Sequence, residues 1–307
     1  MEYITTKEAS EKWNISERRI RKLLKENRIE GATKLGNTWN IPSNSNKPTD
    51  KRITNFKEDN FIIDINEDKL KRLNNLKTIL STKEIPKLSL FSLKEEIYLE
   101  WIFNSNAIEG NTLTLRETQL VLETNTAIGG KPLKDHLEAV NHEKALDYLD
   151  YLVSEKNDVT EWNIKLLHDL ILKGINDESG KYREANVRIK GAKHIPPDYI
   201  RIPELMNNLI NRYHNWKNYH PIIQASLFHG ELVKIHPFID GNGRTSRLLM
   251  NMILMLNNFV PIVIKVEDRI KYYESLDKAH ITNDYTDFTN MLIDLEIESL
   301  ENYLSLF

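Results

Sequence analysis

Twelve residues, His236-Pro-Phe-Ile-Asp-Gly-Asn-Gly-Arg-Thr-Ser-Arg247, gather a proton acceptor, a carboxylate, a glycine-framed turn and two guanidinium groups. His236 is the one side chain among them able to accept a proton near neutral pH. Asp240 offers a hard oxygen of the kind a magnesium ion takes. Gly241, Asn242 and Gly243 can adopt positive φ at little steric cost, which lets successive backbone N–H groups converge into an anion cradle. Arg244 and Arg247 are three apart, so they share one side of a helix and can both reach toward phosphates. Taken singly these features are ordinary: a lone histidine is commonly structural, Gly-Asn-Gly commonly a turn, spaced arginines commonly a solvated face. Concentrated in one loop, they are an inventory for handling a nucleotide.

The elements that must hold this loop are legible on both sides. Pro221 to Ile235, with apolar Ile222, Ile223, Leu227 and Phe228, reads as a helix, and Thr245 to Leu256 is helical in composition. The loop therefore connects two helices, and the second adds its positive N-terminal end to the cradle.

His236, Pro237, Phe238, Asp240, Gly241, Asn242, Gly243, Arg244 and Arg247 resemble the active-site motif of the Fic family, whose members transfer AMP from ATP to protein hydroxyls. The resemblance extends from about Phe56 to the C-terminus and implies a mainly α fold, a helical core with a small β-hairpin flap. It implies His236 as general base for a Tyr, Thr or Ser hydroxyl. Asp240 would hold Mg2+ on the α- and β-phosphates of ATP, while Gly241, Asn242, Gly243 and Arg244 stabilise phosphate charge. Phe238 would anchor the loop in the core, and the Tyr272-Tyr273 pair lies either near adenine or in ordinary packing. A family branch that transfers phosphate carries lysine where this chain has Gly243, so glycine implies AMP transfer.

Upstream, Ser105-Asn-Ala-Ile-Glu109-Gly110 closes a helix that begins near Ser92, with Gly110 as its stop. A carboxylate at a helix C-terminus opposes the dipole, so Glu109 needs another partner. This stretch, Ser105, Glu109 and Gly110, resembles the inhibitory motif of Fic proteins, and the resemblance implies that Glu109 holds Arg247 away from the γ-phosphate. From Lys181 to Pro197, Ala185-Asn-Val-Arg-Ile-Lys-Gly-Ala holds the one short-strand alternation of the main body. By resemblance Val187, Arg188, Ile189, Lys190 and Gly191 form the flap, whose edge pairs with an extended target segment; a surface hairpin without a partner is the alternative.

Composition bounds the rest. The 307 residues allow two or three domains, and the absence of cysteine excludes disulfides, thiolate metal sites and a thiol nucleophile. The N-terminus lacks a secretory pattern and no apolar run approaches the roughly 20 residues of a membrane span, so a cytoplasmic protein without a membrane partner is expected. The net charge of −3 is uneven: Met1 to Pro42 carries nine Lys/Arg against six Glu, leaving the remainder near −6. In that basic head, Thr5 or Thr6 caps a helix ending near Trp13, Asn14-Ile15 turns, and Ser16 opens a second helix to about Asn27, followed by a hairpin around Gly36-Asn37. The head resembles the winged helix-turn-helix of the MerR and excisionase type, with Arg18, Arg19 and Lys22 facing DNA.

The expected layout is a winged helix-turn-helix over 1–42, a linker over 43–55, an N-terminal helical region with the inhibitory helix over 56–125, and the catalytic core with C-terminal helices over 126–307. Expected partners are ATP, a hydroxyl-bearing target protein, DNA and a second copy of the chain in a homo-oligomer. Three other readings stand beside AMP addition: removal of AMP by the same site, another nucleotide or a nucleotide-linked donor in place of ATP, and transcriptional regulation with the core as nucleotide sensor.

Overall fold

The structure is a computed structural model that describes residues 3–13, 17–25, 28–29, 31–36, 38–43, 45 and 60–307. The side chains of Glu11, Arg19 and Leu35, the Asn14-Ile15 turn, Ser16, Asn27 and most of the expected linker lie outside the described residues. The chain divides into two compact units, Met1–Asp59 and Asn60–Phe307.

The first unit contains β1 (Tyr3–Ile4), α1 (Thr6–Trp13), α2 (Glu17–Lys25), β2 (Thr33–Leu35) and β3 (Thr38–Pro42). Thr5 caps α1 reciprocally: its hydroxyl accepts from the Glu8 amide at 3.2 Å, and Glu8 accepts from the Thr5 amide at 2.7 Å. On α2, Ile20, Leu23 and Leu24 turn inward onto Ala9, Trp13, Ile29 and Ile41, while Arg18, Arg21, Lys22 and Lys25 stay exposed. The hairpin β2–β3 lies where the Gly36-Asn37 turn predicts it. β1 also pairs antiparallel with β3, giving sheet order β1-β3-β2; a two-residue strand is too short to alternate visibly in sequence.

The second unit is helical: α3 (Glu67–Ser81), α4 (Lys87–Ile108), α5 (Leu115–Thr124), α6 (Leu133–Ser154), α7 (Glu161–Leu172), α8 (Ile202–Asn215), α9 (Pro221–Ile235), α10 (Asn242–Leu256), α11 (Arg269–Thr282) and α12 (Thr286–Leu304). Start signals explain several boundaries. Asn66 and Thr160 cap α3 and α7, Thr114 and Glu117 form a reciprocal capping box on α5, and Pro221 occupies the first turn of α9. At the centre α9 packs along α10; α8, α11 and α12 cover α9, and α4, α6 and α7 cover α10. The two central helices are buried nearly all round, which fixes the loop between them from both ends.

Three expectations change here. α4 starts at Lys87 rather than near Ser92, and its extra turn carries exposed Leu88 and Phe91, so no buried stripe announced it. α10 starts at Asn242 rather than Thr245. The division at 125/126 is no break, because α3 and α4 share one core with α6, α9 and α12. Among the described residues no helix is long and apolar enough to cross a membrane.

Candidate functional site

The loop begins with the end of α9. His236 is its C-cap in the left-handed region, φ 51°, held by its amide on the Leu232 carbonyl at 2.9 Å and by its own carbonyl, which accepts from Arg183 Nε at 2.8 Å. A non-glycine residue there costs on the order of 1 kcal/mol, so both bonds are needed. Burial holds the imidazole down to about 4; the Val233 backbone partly opposes this, Arg183 reinforces it, and Glu109 and Asp240 oppose it. Nδ1 is buried without a well-formed hydrogen bond. The ring is neutral at pH 7 and free to accept.

Past it, Phe238 is fully buried and stacks on His168 with ring centroids 3.7 Å apart. Asn242 closes the loop on itself: its Oδ1 accepts from the Phe238 amide at 3.0 Å and its Nδ2 donates to the Phe238 carbonyl at 2.9 Å. Its side chain is therefore committed to the loop, not to phosphate. Gly241 has φ 73°, and a methyl group there would also press on His168 and Leu172. Nε2 of His168 donates to the Asp240 carbonyl at 2.9 Å while its Nδ1 accepts from the Gly180 amide at 2.9 Å, which fixes the tautomer.

α10 has no side-chain N-cap, so the amides of Asn242, Gly243 and Arg244 face outward at the positive end of the helix. This is the turn at which the sequence expects an anion cradle. One carboxylate already approaches it: a methyl group at Gly243 would press on Glu109 Oε1. α4 ends in a complete αL stop, with Gly110 at φ 98°, its amide on the Ala107 carbonyl and the Asn111 amide on the Asn106 carbonyl. This end aims Glu109 at Arg247, Nη2 to Oε1 at 2.8 Å. Arg247 also donates Nε to Ser105 Oγ at 3.0 Å, Nη2 to the Ser105 carbonyl at 2.8 Å and Nη1 to Tyr272 Oη at 3.5 Å. Burial works against its charge, but Glu109 and Tyr272 outweigh that and hold its pKa above the ordinary value.

Sequence reasoning sends both arginines to phosphate, and the structure separates them. Arg244 is 1% exposed and its Nη1 meets Glu138 Oε1 at 2.9 Å, while Glu138 Oε2 accepts from Asn111 at 2.9 Å. The nearest oxygen of Asp240 stands 3.7 Å from Arg244 Nη2. Arg244 thus joins α10 to α6 and, through Glu138, to the chain just past Glu109. Asp240 is 46% exposed at its side chain, with Oδ1 accepting from the Gly241 amide at 2.7 Å. Among the described residues no cluster of three acidic or histidine side chains could enclose a metal. One carboxylate beside an open phosphate cradle fits magnesium, which is commonly held by one or two carboxylates plus substrate phosphates.

The flap expectation is corrected. Among the described residues, 181–197 form no strand ladder; the segment is extended with a turn in which the Ala192 amide reaches the Ile189 carbonyl at 3.3 Å. Its ends bond to the body of the unit, through Arg183 Nε on the His236 carbonyl, the Lys193 amide on Asp277 and His194 Nε2 on the Lys234 carbonyl, and to each other only through the Arg183 side chain on the Pro197 carbonyl. Val187 and Ile189 are half-buried while Arg188, Lys190 and Gly191 are exposed, so the alternation survives without the hairpin. Sequence reasoning missed Arg183, His168, Glu138 and His229, and left Tyr272 unassigned; Tyr272 Oη lies 3.0 Å from His229 Nε2 beneath Arg247. None carries a local motif, because each acts across the fold.

Burial makes an acid-stability prediction. His142, His168 and His280 are held down to about 3, about 4 and about 4 by burial, and His229 well below the usual value for the same reason. Unfolded, these rings bind protons below about pH 6.5. Stability is thus full above pH 6.5 and falls as pH drops toward 4, at roughly 1.4 kcal/mol per pH unit for each ring. Buried Glu296, raised to about 8 by burial, has the opposite slope between pH 8 and its unfolded value, as has Glu143, raised mainly by burial, but the lowered histidines, His220 and His236 at about 4 among them, outnumber these two. Urea midpoints at pH 7.5, 6 and 5 should fall steeply across the last two; equal midpoints would refute the assignment.

Residues 158–254 match the Fic/DOC family. The chain therefore carries a Fic/DOC-family domain, set in a helical unit of Fic fold. Protein adenylyltransferase Fic of Drosophila melanogaster is 35% identical over 270 residues, covering 86% of this chain and 53% of that protein. The Aedes aegypti protein of that name is 34% identical over 248 residues, covering 78% and 48%. The chain thus spans about half the length of the curated relatives it matches. Among solved structures, a Fic domain containing signaling protein from Bacteroides thetaiotaomicron superposes with TM-score 0.71 at 29% identity, covering 78% of this chain and 96% of that one. A Glu-to-Gly variant of C. elegans Fic-1 gives TM-score 0.71 at 28% identity, covering 78% and 71%.

Proposed function

We propose that the protein is an autoinhibited protein adenylyltransferase that moves AMP from ATP to a Tyr, Thr or Ser hydroxyl, on a target protein and on itself. One observation carries the reading: the uncapped N-terminal turn of α10 faces the Glu109 carboxylate, which also bonds the arginine that would clamp the terminal phosphate. An anion seat guarded by an anion is a regulated anion seat. The curated relatives named protein adenylyltransferase support the choice of AMP as the group moved.

In this reading ATP lies with its phosphates on the amides of Asn242 to Arg244, preorganised donors that cost no rearrangement as charge builds. Nε2 of His236 takes the proton of the target hydroxyl while that oxygen bonds the α-phosphorus. The bond from the α-phosphorus to its bridging oxygen breaks, and pyrophosphate leaves. Asp240 would hold Mg2+, which neutralises phosphate charge when bound. Arg247, released from Glu109, would take the γ-phosphate, and Arg244 would serve by holding the helix in place. The extended 187–191 segment, whose backbone pairs with no strand among the described residues, suits pairing with an extended target segment. Incubating the protein and its Glu109→Gly variant with ATP and Mg2+, then measuring intact mass, tests this: an added AMP on a hydroxyl is expected. Asp240→Ala or chelation should remove it, and a product mass of phosphate alone would overturn the reading.

The head supports a second function, DNA binding as a winged helix-turn-helix in which α2 presents Arg18 and Lys22, both exposed. Arg19 belongs to the same proposed face, its side chain lying outside the described residues. Binding by phosphate contacts must weaken as salt rises, since each neutralised phosphate releases counterion. Mobility shifts on duplex DNA should appear at low salt and fade by about 200 mM; Arg18→Ala with Lys22→Ala should reduce them. No shift of any duplex at low salt would make the head a protein-docking unit instead.

A further inference from the structure

We propose that Arg183 is a positioning residue that fastens the 185–197 flap and the catalytic loop to one guanidinium, so that seating a target on the flap and aligning His236 are one mechanical operation. The proposal rests on the AMP-transfer reading above. Arg183 is 3% exposed and spends its donors on three separate stretches of backbone: Nε on the His236 carbonyl at 2.8 Å, Nη1 on the Ala185 carbonyl at 2.7 Å and Nη2 on the Pro197 carbonyl at 2.6 Å. Its own amide bonds the Pro237 carbonyl at 2.9 Å. Ala185 and Pro197 are the two necks of the flap, and His236 and Pro237 open the catalytic loop.

The energetics favour a geometric purpose. Among the described residues no carboxylate forms an ion pair with Arg183, and burial pushes its pKa down with only Asp198 opposing. A cation buried against carbonyls alone is costly compared with a paired one. What it provides is a planar fork that fixes three acceptors in one plane, which a lysine ammonium cannot reproduce. A second tether runs in parallel: His194, on the returning limb of the flap, reaches the carbonyl of Lys234, two residues before His236. Both limbs therefore end on the last turn of α9, where His236 sits, while 187–190 between them pair with no strand among the described residues, Ile189 giving its carbonyl to the Ala192 turn.

The test uses the full chain carrying Glu109→Gly, with Arg183→Lys and Arg183→Gln added separately. The rate of AMP addition at saturating ATP should fall roughly 10- to 100-fold in both, the cost of a displaced reacting group, while the KM for ATP shifts less than about threefold, since the α10 amides are untouched. A purely structural role would lower the active fraction and leave the rate per active molecule at the parent value. Here the His236 pKa, followed by NMR, should rise in Arg183→Gln, because the guanidinium charge helps to hold it down. In the parent protein, the Arg183 amide should exchange with deuterium far more slowly than those of 187–190. A lysine variant with the parent rate, an unmoved His236 titration, or an Arg183 amide exchanging as fast as the flap tip would each overturn the proposal. If Glu109→Gly itself transfers no AMP, the activity reading fails, and the titration and exchange results still decide the role of Arg183.

Discussion

Replacing His236 with alanine should abolish AMP addition, a loss of at least about 10²-fold, while ATP still binds. The separation follows from the geometry. In the proposed site the phosphates would sit on the first turn of α10 while His236 stands at the end of α9, so the imidazole can be removed without touching the amides. His236 is also left-handed, φ 51°. Alanine tolerates that conformation poorly, so His236→Asn, at ease there, is the control that removes the base while keeping the backbone. Because burial holds this imidazole down to about 4, the base stays deprotonated through the physiological range. The acid limb of kcat/KM should accordingly fall near pH 4 to 5 and not at 6.5, provided rates are normalised to folded protein. Transfer at the parent rate in both variants would remove His236 from the mechanism. An acid limb at 6.5 would show that burial does not hold the base down in the free protein.

How much of this was readable in advance depended on where each partner lies. Thr160, Pro221 and the Thr114–Glu117 box announce helix starts because caps act over three residues, and α6 begins and ends where its pattern predicts. The loop residues were legible for the same reason: glycines, the base and the carboxylate are adjacent in sequence. Glu109 and Arg247 were coupled only through resemblance, since nothing local joins positions so far apart. Arg244 looked like the twin of Arg247 on helical spacing. What separated them was Glu138, a buried acid on α6 that sequence alone cannot place. Arg183 was less visible still, because its acceptors are backbone carbonyls and backbone has no side-chain signature. The flap shows the reverse case: its alternation was correct and its pairing was not, since alternation reports one solvent-facing side and says nothing of a partner strand.

The same distance from sequence makes Glu109→Gly the most discriminating change, because it predicts a gain. Removing this carboxylate takes away the only acidic partner of Arg247 among the described residues and withdraws negative charge from the open turn of α10. AMP addition should rise at least about tenfold over the parent, equivalent to roughly 1.4 kcal/mol of released inhibition. The variant should lose on the order of 2 kcal/mol of folding stability, the scale of one charge-assisted hydrogen bond, because Arg247 keeps Ser105 and Tyr272 as neutral acceptors. ATP should then raise the melting temperature of the variant more than that of the parent, since its phosphate replaces the missing anion. Gly243→Ala reaches the same state from the other side. Its methyl group would press hardest on Glu109 Oε1 and less on Arg247 Nη1 at 3.0 Å, both ends of flexible side chains, so these yield before the helix does. Activation by both changes, and loss of that activation when Arg247→Ala is added, would tie the inhibition to this one contact. If Glu109→Gly binds ATP as the parent does yet transfers no faster, Glu109 is not an inhibitor. Release of AMP from a pre-modified protein by the parent, lost in the variant, would then identify the carboxylate as the activator of water in the reverse reaction.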